Sequence, residues 1–334
     1  MFEQFIEKYN LPPYRRTQLY TQYYKNLISS WGELTTWPVD LRKKLKDEVP
    51  FSQLFFISES TSDDGKTKKA LFKTELGNYI ESVLIQEKDR NTVCVSCMSG
   101  CPVGCIFCAS GQMGLQESLN QYQIMDQVLH FARDLKTKNK KVTNIVYMGM
   151  GEPMLNFENV SQSIINITDK EKFALSRRRV TVSTSGYIRN LRSFLNKKLG
   201  VKLAISLHAP TQELRDMLMP KVSKSNSLQD LFKLLDEYTE RTNKRVTYEY
   251  VLLRDINDFT ENAKELAKLL KNRLAFVNLI NYNENECLPF KKSRNALLFQ
   301  RILLENGVTC TIRKSLGEEI KGACGQLAVS NSQC

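Results

Sequence analysis

Three cysteines, Cys101, Cys105 and Cys108, lie close together in a C-x3-C-x2-C spacing. Thiolates are soft ligands that favour iron–sulfur clusters and zinc. Three thiolates on one tight loop can hold three irons of a four-iron cluster and leave the fourth iron open to another ligand. The alternative is a structural zinc loop in which Cys94 or Cys97 supplies the fourth thiolate. The compact three-cysteine spacing favours the cluster.

Length and composition indicate a globular enzyme of a reducing compartment. The 334 residues suffice for one large domain and a small one, and 42% of them are hydrophobic and 25% charged. The nine cysteines cluster, whereas a disulfide framework would spread them along the chain. The first residues lack the apolar segment of a signal peptide, and no apolar run approaches the roughly 18 residues that a membrane span needs. We therefore expect a cytoplasmic protein that does not bind a membrane.

The net charge is +12, with 48 basic and 36 acidic residues. Such an excess favours a polyanionic partner, of which nucleic acid is the commonest large one. The alternative is that surface lysines only keep the protein soluble. The basic residues fall in local groups: Lys66, Lys68 and Lys69; Lys138, Lys140 and Lys141; Arg177, Arg178 and Arg179; and Lys291 and Lys292.

The first ninety or so residues divide into a helical and a β-rich segment. In residues 1–50 apolar side chains such as Tyr14, Leu19 and Tyr23 recur near helical spacing, with arginines and lysines on the other faces. This pattern predicts a small basic helical domain that docks RNA, or else a packing extension of the main domain. Residues 51–91 predict a β-rich connecting segment. Its expected strands are Gln53–Ser58, Lys69–Lys73 and Tyr79–Gln86.

From residue 92 to residue 334 apolar strand-like runs alternate with helix-like runs. Two of the latter, Gln121–Leu135 and Glu261–Lys271, place their apolar residues on one helical face. The alternation predicts a parallel α/β barrel or open sheet, in which chemistry takes place at the carboxyl ends of the strands. The expected strands are Thr92–Cys97, Val142–Met148, Val180–Ser183, Val201–Leu207, Val246–Leu253, Leu274–Ile280 and Val308–Ile312.

Small and polar motifs follow these strands at the ends where chemistry is expected. Gly149 and Gly151 allow tight turns and close approach to a ligand, and the carboxylate of Glu152 could receive an ammonium group. Ser183 stands in a small-residue loop that suits ribose hydroxyls, although it could simply cap a helix. His208 is as easily a satisfied core histidine as a ligand contact. Each motif alone is a weak signal, but together, following the cysteine loop in the sequence, they indicate a ligand site.

Over essentially its whole length the chain resembles the radical S-adenosylmethionine (SAM) adenine-C2 methyltransferases of ribosomal and transfer RNA, the RlmN family. The resemblance implies a partial (β/α)6 barrel with a small N-terminal helical domain and a β extension. It also implies one [4Fe-4S] cluster per chain, held by Cys101, Cys105 and Cys108, and two SAM molecules per turnover. The segments that carry it are YRRTQLY, CPVGCIFCASGQMG, MGMGEPMLN, STSG, SLHAP, VNLINYN and ACGQL.

The resemblance also implies a mechanism. Cys324 would be methylated by one SAM and would then carry the methyl carbon, as a radical, to C2 of an adenine in RNA. Cys94 would release the product by forming a transient disulfide with Cys324, and Glu81 would accept the C2 proton. C2 of adenine is not nucleophilic, so ordinary methyl transfer from SAM cannot reach it and a radical route is needed. The implied targets are adenosine 2503 of 23S rRNA and adenosine 37 of transfer RNAs.

The same residue-by-residue match implies a SAM site and accessory partners. A reduced flavodoxin or ferredoxin would supply electrons, and the protein would act as a monomer. The implied SAM contacts are Gly151, Glu152, Ser183, Ser206, Leu207, His208 and Asn283.

The chain departs from the family at two cysteines. We interpret Cys97 as a small substitute for serine rather than a rival ligand, and Cys334 as a free exposed thiol. Three other functions remain open: a Cfr-type methyltransferase of adenine C8, a radical SAM activase or maturase, and a zinc-stabilised RNA-binding module. Pro153 argues against the first, because Cfr enzymes tend to carry alanine there. The second would not need Cys94 and Cys324.

Overall fold

The computed structural model describes residues 2–223 and 226–328, in which no helix is long and apolar enough to cross a membrane. The strands are β1 (Leu54–Thr61), β2 (Thr67–Thr74), β3 (Tyr79–Glu87), β4 (Arg90–Cys94), β5 (Met98–Gly100), β6 (Leu115–Ser118), β7 (Asn144–Tyr147), β8 (Val180–Thr184), β9 (Lys202–Ser206), β10 (Val246–Leu252), β11 (Ala275–Asn281) and β12 (Cys310–Arg313). The α-helices are α1 (Phe2–Lys8), α2 (Pro13–Tyr20), α3 (Val39–Glu48), α4 (Ala109–Gln112), α5 (Gln121–Thr137), α6 (Phe157–Thr168), α7 (Ile188–Asn196), α8 (Gln212–Leu218), α9 (Pro220–Ser223), α10 (Leu228–Thr242), α11 (Thr260–Leu270) and α12 (Ala296–Glu305).

Ten of these strands form one sheet in the order β1-β2-β3-β4-β7-β8-β9-β10-β11-β12. From β4 onward all neighbours are parallel, as helical crossovers require. Strands β1, β2 and β3 extend the sheet as an antiparallel meander beside β4. All seven parallel strands contribute residues to one central cavity, so the sheet curls into a partial barrel. The predicted fold class, with its β extension, is confirmed.

The two faces of the parallel strands differ in composition. Outward residues pack against helices and are apolar, and Ile145, Val182 and Leu279 are each 0% exposed. Successive strand residues point to opposite faces, so every second residue faces the barrel interior. There the side chains are mostly short or polar, and they leave a cavity of about 920 Å³ where bulky branched residues would fill a closed barrel. The inward residues include Thr92, Asn144, Thr181, Thr247 and Asn278.

The N-terminal helices are held by aromatic residues. The ring of Tyr23 lies edge-on to Phe2, with centroids 5.0 Å apart, and stacks on Trp31 at 5.4 Å. Tyr14, which we expected on the same apolar face, is 55% exposed. It lies five positions before the buried Leu19, which places it on a different side of the helix.

Asp126 on α5 joins this N-terminal segment to the barrel. Its carboxylate accepts hydrogen bonds from the backbone N–H of Gln53 at 2.7 Å and from the hydroxyl of Ser52 at 3.0 Å. Burial raises the pKa of Asp126 to about 6, although these hydrogen bonds and Arg133 oppose the rise. A buried carboxyl without such partners would be costly, so the contacts fix the junction between the two parts.

Candidate active site

The polar motifs at the carboxyl ends of the strands line one cavity of about 170 Å³. This cavity adjoins the larger one inside the barrel, and residues such as Glu249, Arg313 and Cys324 line both. The fold therefore brings together most of the residues that the sequence analysis selected. Those on the smaller cavity are Cys101, Cys105, Cys108, Gly151, Glu152, Ser183, Ser206, His208 and Cys324.

The three cysteines of the C-x3-C-x2-C motif lie on the loop between β5 and α4. Gly111 keeps this loop tight, because a Cβ there would lie 2.8 Å from the carbonyl oxygen of Cys105. Burial raises the pKa of the Cys101 thiol to about 12, and it also raises the pKa of Cys105 and Cys108. Such thiols lose their protons when a metal binds, and their charge is then neutralised locally.

The arrangement of these thiols differs from that of a single-ion site. Within residues 2–223 and 226–328, no group of three or more His, Cys, Asp or Glu side chains converges where one metal ion would bind. Zinc draws its thiolates to about 2.3 Å from one ion, whereas three ligands of a four-iron cluster bind separate irons. Cys94 and Cys97 also have a C-x2-C spacing, but Cys97 is buried in the main hydrophobic core. Cys97 is therefore less accessible to a metal than the three cysteines that line the smaller cavity.

Glu152 is buried and organises the loop after β8. Its Oε1 accepts hydrogen bonds from the hydroxyl of Thr184 at 2.6 Å and from the backbone N–H of Met154 at 2.9 Å. Its Oε2 accepts two more from Ser185, at 2.8 Å from the backbone and 2.6 Å from the hydroxyl. Burial raises the pKa of Glu152, and the four hydrogen bonds oppose the rise. They fix the carboxylate at the cavity wall, where a positively charged ligand group could approach it.

Polar but uncharged groups line the neighbouring wall. The hydroxyl oxygens of Ser183 and Ser206 lie 3.3 Å apart. Nδ1 of His208 accepts a hydrogen bond from the backbone N–H of Val251 at 3.1 Å, which assigns the ring proton to Nε2. Burial, with a smaller contribution from the charge of Arg215, lowers the pKa of His208 to about 3, so the ring is neutral at physiological pH. These groups suit the hydroxyls and ring nitrogens of a nucleoside.

Two of the expected SAM contacts do not line the smaller cavity. Leu207 is fully buried; its N–H donates to the carbonyl of Glu249 at 3.0 Å, and its own carbonyl accepts from Arg215 at 2.9 Å. Asn283 lines the larger cavity, and its Nδ2 donates to the carbonyl oxygen of Cys324 at 3.0 Å. In this conformation Asn283 holds the loop that carries Cys324.

The C-terminal loop around Cys324 packs against the loop of the three cysteines. The backbone N–H of Ala109 donates to the carbonyl of Gly325 at 2.9 Å, and the hydroxyl of Ser110 donates to the carbonyl of Leu327. Gly325 has a φ of +85°, a conformation that favours glycine. The two loops thus form one unit, which sets the position of Cys324 over the cavity.

Cys324 lines both cavities, the smaller one with Cys101, Cys105 and Cys108 and the larger one with Cys94. Cys94 is at the end of β4 and, like Cys324, lines the larger cavity. Burial, with a contribution from the neighbouring Cys324, raises the pKa of Cys94 to about 12, and the same two causes act on the pKa of Cys108. Both Cys94 and Cys324 are free thiols in this structure. Two thiols 230 positions apart in the sequence therefore share one cavity.

Glu81 lies beneath the end of the same C-terminal loop. Its carboxylate forms an ion pair with Lys69 at 2.7 Å and accepts a hydrogen bond from the backbone of Ala328. Burial raises the pKa of Glu81, and Lys69 opposes the rise. The structure therefore places Glu81 next to the tail of the Cys324 loop and not on the wall of either cavity.

Three charged residues of the site were missed in the sequence analysis. Arg215 is fully buried and donates to the carbonyls of Ser206 at 3.1 Å and of Leu207 at 2.9 Å, but nothing in its helical segment distinguishes it from a surface arginine. Glu249 and Arg313 do carry a signal, because each interrupts or ends an apolar strand. The pKa of Arg313 is raised chiefly by Cys324, with contributions from Glu249 and Cys94, so its positive charge faces both thiols.

The fold and the three-cysteine cavity define a radical SAM enzyme. The family model of the Radical SAM superfamily matches residues 95–270, more than half of the chain. The crystal structure of a radical SAM methyltransferase from Sphaerobacter thermophilus superposes with a TM-score of 0.95 and 39% sequence identity, over 98% of this chain and 96% of that one.

Curated relatives narrow the class further. A protein named "Probable dual-specificity RNA methyltransferase RlmN" from Dictyoglomus turgidum is 40% identical over 324 residues, which are 96% of this chain and 92% of the relative. The protein of the same name from Chloroflexus aurantiacus is 38% identical over 340 residues, covering 98% of this chain and 90% of the relative. The chain belongs to the RlmN family of radical SAM methyltransferases.

Enzymes of this class use a [4Fe-4S] cluster and SAM, and the residues of this site fit both. Cys101, Cys105 and Cys108 offer three thiolates on one loop, which leaves one iron for SAM. Gly151, which has a φ of +101°, lets the cavity wall pack closely against Met98. A Cβ at this position would lie 2.6 Å from the Cβ of Met98. The fixed carboxylate of Glu152 would supply a negative charge for the ammonium group of SAM.

Proposed function

We propose that the protein methylates C2 of adenine in RNA, at adenosine 2503 of 23S rRNA and at adenosine 37 of transfer RNAs. One observation carries the proposal: Cys324 lines two adjoining cavities, the smaller one with Cys101, Cys105 and Cys108 and the larger one with Cys94. A radical SAM activase or maturase has no use for this second pair of thiols. A methyl-carrying thiol, in contrast, needs both a radical source on one side and a resolving thiol on the other.

Cys324 is the methyl carrier in this proposal. The bound cluster and SAM together supply a 5′-deoxyadenosyl radical. Cys324 accepts a methyl group on its sulfur, loses a hydrogen atom from that methyl group, and bonds through the resulting carbon to C2 of the base. The hydrogen bonds from Asn283 to Cys324 and from Ala109 to Gly325 keep the sulfur over the cavity while this happens.

Cys94 and Glu81 complete the reaction. Glu81 accepts the C2 proton, and burial raises its pKa, which makes the carboxylate a stronger base. This role requires the segment at Ala328 to move away, because it now covers the carboxylate and its Lys69 partner. After the bond to C2 forms, the adduct loses one electron, for which the bound cluster would be the acceptor, as well as its C2 proton. The thiolate of Cys94 then attacks the sulfur of Cys324. The sulfur–carbon bond breaks with its electron pair left on the carbon, which takes up a proton to become the methyl group, and a disulfide forms between the two cysteines as the methylated base leaves.

The larger cavity gives an RNA base a route to Cys324. An enzyme that modifies a base must take it out of its stack and into a pocket. The end of the cavity opposite the cysteines is rich in cations that can bind phosphates on either side of such a base. Arg178, from the predicted basic run Arg177–Arg179, is one of them. The cations lining this end are Arg90, Arg178, Lys202, Lys244 and Arg245.

The proposal extends to partners and organisation. Residues 1–50 act as an RNA-docking domain, residues 51–91 connect it, and residues 92–334 form the radical SAM core. A reduced flavodoxin or ferredoxin supplies electrons to a monomer. The enzyme works in the cytoplasm, where reducing conditions protect the cluster and the free thiols Cys94 and Cys324.

Trapping of RNA on the enzyme tests the function. Cys94→Ala leaves methylation and radical addition intact but blocks resolution, so we expect the protein purified from cells to be covalently joined to RNA. Cys324→Ala removes the carrier and should hold none. Denaturing gels with and without ribonuclease measure the adduct, and Cys310→Ala is the control, because this buried thiol lies on the outer side of β12.

Two results would contradict the proposal: no RNA on the Cys94→Ala protein, or equal amounts on the Cys324→Ala protein. Mass spectrometry of RNA from cells with and without the gene then identifies the product. We expect 2-methyladenosine to depend on the gene, whereas 8-methyladenosine would indicate the Cfr-type reaction.

A further inference from the structure

We propose that Glu249, Asn278 and Phe276 form the pocket that recognises the target adenine inside the barrel. This inference rests on the proposed function, and it assigns the base-reading residues of the reaction. Glu249 and Asn278 hold the amine edge of the ring, and Phe276 stacks on its face.

Glu249 has a buried oxygen without a partner. It lies on β10 opposite Asn278 of β11, and its Oε1 accepts a hydrogen bond from Nδ2 of Asn278 at 2.9 Å. The residue is only 3% exposed, and its Oε2 has no hydrogen-bond partner among residues 2–223 and 226–328. An unpaired buried carboxylate oxygen is expensive, and in a native site it calls for an explanation such as a missing ligand.

Glu249 belongs to the wall that the two cavities share. Glu249 lines the smaller cavity together with the cluster cysteines and the larger cavity together with Cys94, and Cys324 and Arg313 line both with it. Burial raises the pKa of Glu249, whereas Arg313 and the Asn278 hydrogen bond favour its charged form. A base that reaches Cys324 through the barrel therefore passes this carboxylate.

Phe276 supplies a flat aromatic surface in the larger cavity, next to Asn278 on the inner face of β11. It precedes Asn278 by two residues, so both side chains point to the same face of β11, and both line the larger cavity. The guanidinium of Arg245 lies 4.6 Å from the centroid of the Phe276 ring and covers it on one side. Aromatic rings of this kind bind unstacked bases by stacking.

The chemistry selects adenine. Its exocyclic N6 amine is a donor that the unpaired oxygen of Glu249 can accept, whereas guanine presents a carbonyl oxygen at the same ring position, which a carboxylate repels. Holding the amine also fixes the rotation of the ring in its plane. The Glu249 contact therefore decides which ring carbon faces Cys324.

Equilibrium binding tests the pocket without requiring chemistry. Two RNA stem-loops are compared, one with adenosine at the target position and one with purine riboside, which keeps the ring but lacks the amine. We expect Cys324→Ala protein, which cannot react, to prefer the adenosine RNA by about tenfold or more. Adding Glu249→Met should reduce this preference to within about twofold, and Glu249→Gln, which keeps an acceptor, should retain most of it. Adding Phe276→Leu should weaken the binding of both RNAs equally, by about tenfold, because each base loses a stacking partner.

An unchanged preference in the Glu249→Met protein overturns the proposal. So does a loss of SAM binding by that protein after cluster reconstitution, because Glu249 would then serve the adenine of SAM instead. The covalent adduct of Cys94→Ala distinguishes a failure of the proposed function from a failure of the proposed adenine pocket. Its absence refutes the proposed function, whereas an adduct combined with unaltered base preference refutes only the pocket.

Discussion

The two faces of the parallel strands take opposite roles, although they are built from adjacent residues. On β7, Ile145 is fully buried against the helices, while its neighbour Asn144 lines the barrel cavity. The outer face contributes the burial that stabilises the fold, so the inner face can remain polar and partly open. Cys94, Glu249, Asn278 and Arg313 all belong to this inner face. The difference indicates that stability and chemistry can be changed separately in this protein.

The largest expected effect concerns metal binding on the inner side. Cys105→Ala removes one of three thiolates on the cavity, so we expect bound iron and sulfide to fall to background. Cys97→Ala is the matched control, because this thiol lies near the same loop but is buried in the main core. Iron and sulfide analysis of anaerobically purified proteins measures both. A fully loaded Cys105→Ala protein, or equal loss in Cys97→Ala, would refute the assignment of the ligands.

The next largest effect should distinguish the two faces of the sheet by how much each contributes to the free energy of unfolding. Ile145→Ala on the outer face should lower the free energy of unfolding by about 2–5 kcal/mol, since it leaves a cavity in a tightly packed layer. Thr181→Ala on the inner face removes a half-buried side chain at a solvent-accessible cavity and should change it by about 0.5 kcal/mol or less. Urea denaturation of the two variants gives the comparison. Equal destabilisation would mean that the barrel interior supports the fold as much as the outer layer does.

The same contrast explains what the sequence could predict. The β-branched and apolar runs that bury the outer face are local signals, so all seven parallel strands and the three-strand extension lie close to their expected positions. The cysteine motif also needs no tertiary information. The three-dimensional relations do. The ion pair of Glu81 with Lys69, the backbone contacts of Leu207 and the surroundings of Arg215 and of Arg313 each depend on contacts between different elements of the fold. Cys334 lies outside the described residues.

The smallest expected effect concerns the cationic end of the inner cavity. If Arg178 contacts a phosphate there, Arg178→Gln should weaken RNA binding only a few-fold, and it should reduce the slope of log affinity against log salt by about 1, because one fewer counterion is released. Arg301→Gln is the control, since this arginine is 67% exposed on the outer helix α12, where it forms an ion pair with Glu305. Binding titrations over a range of salt concentrations measure both slopes. Equal slopes for Arg178→Gln and the unaltered protein would show that the RNA backbone does not contact this end of the barrel. The N-terminal basic helices would then be the docking surface.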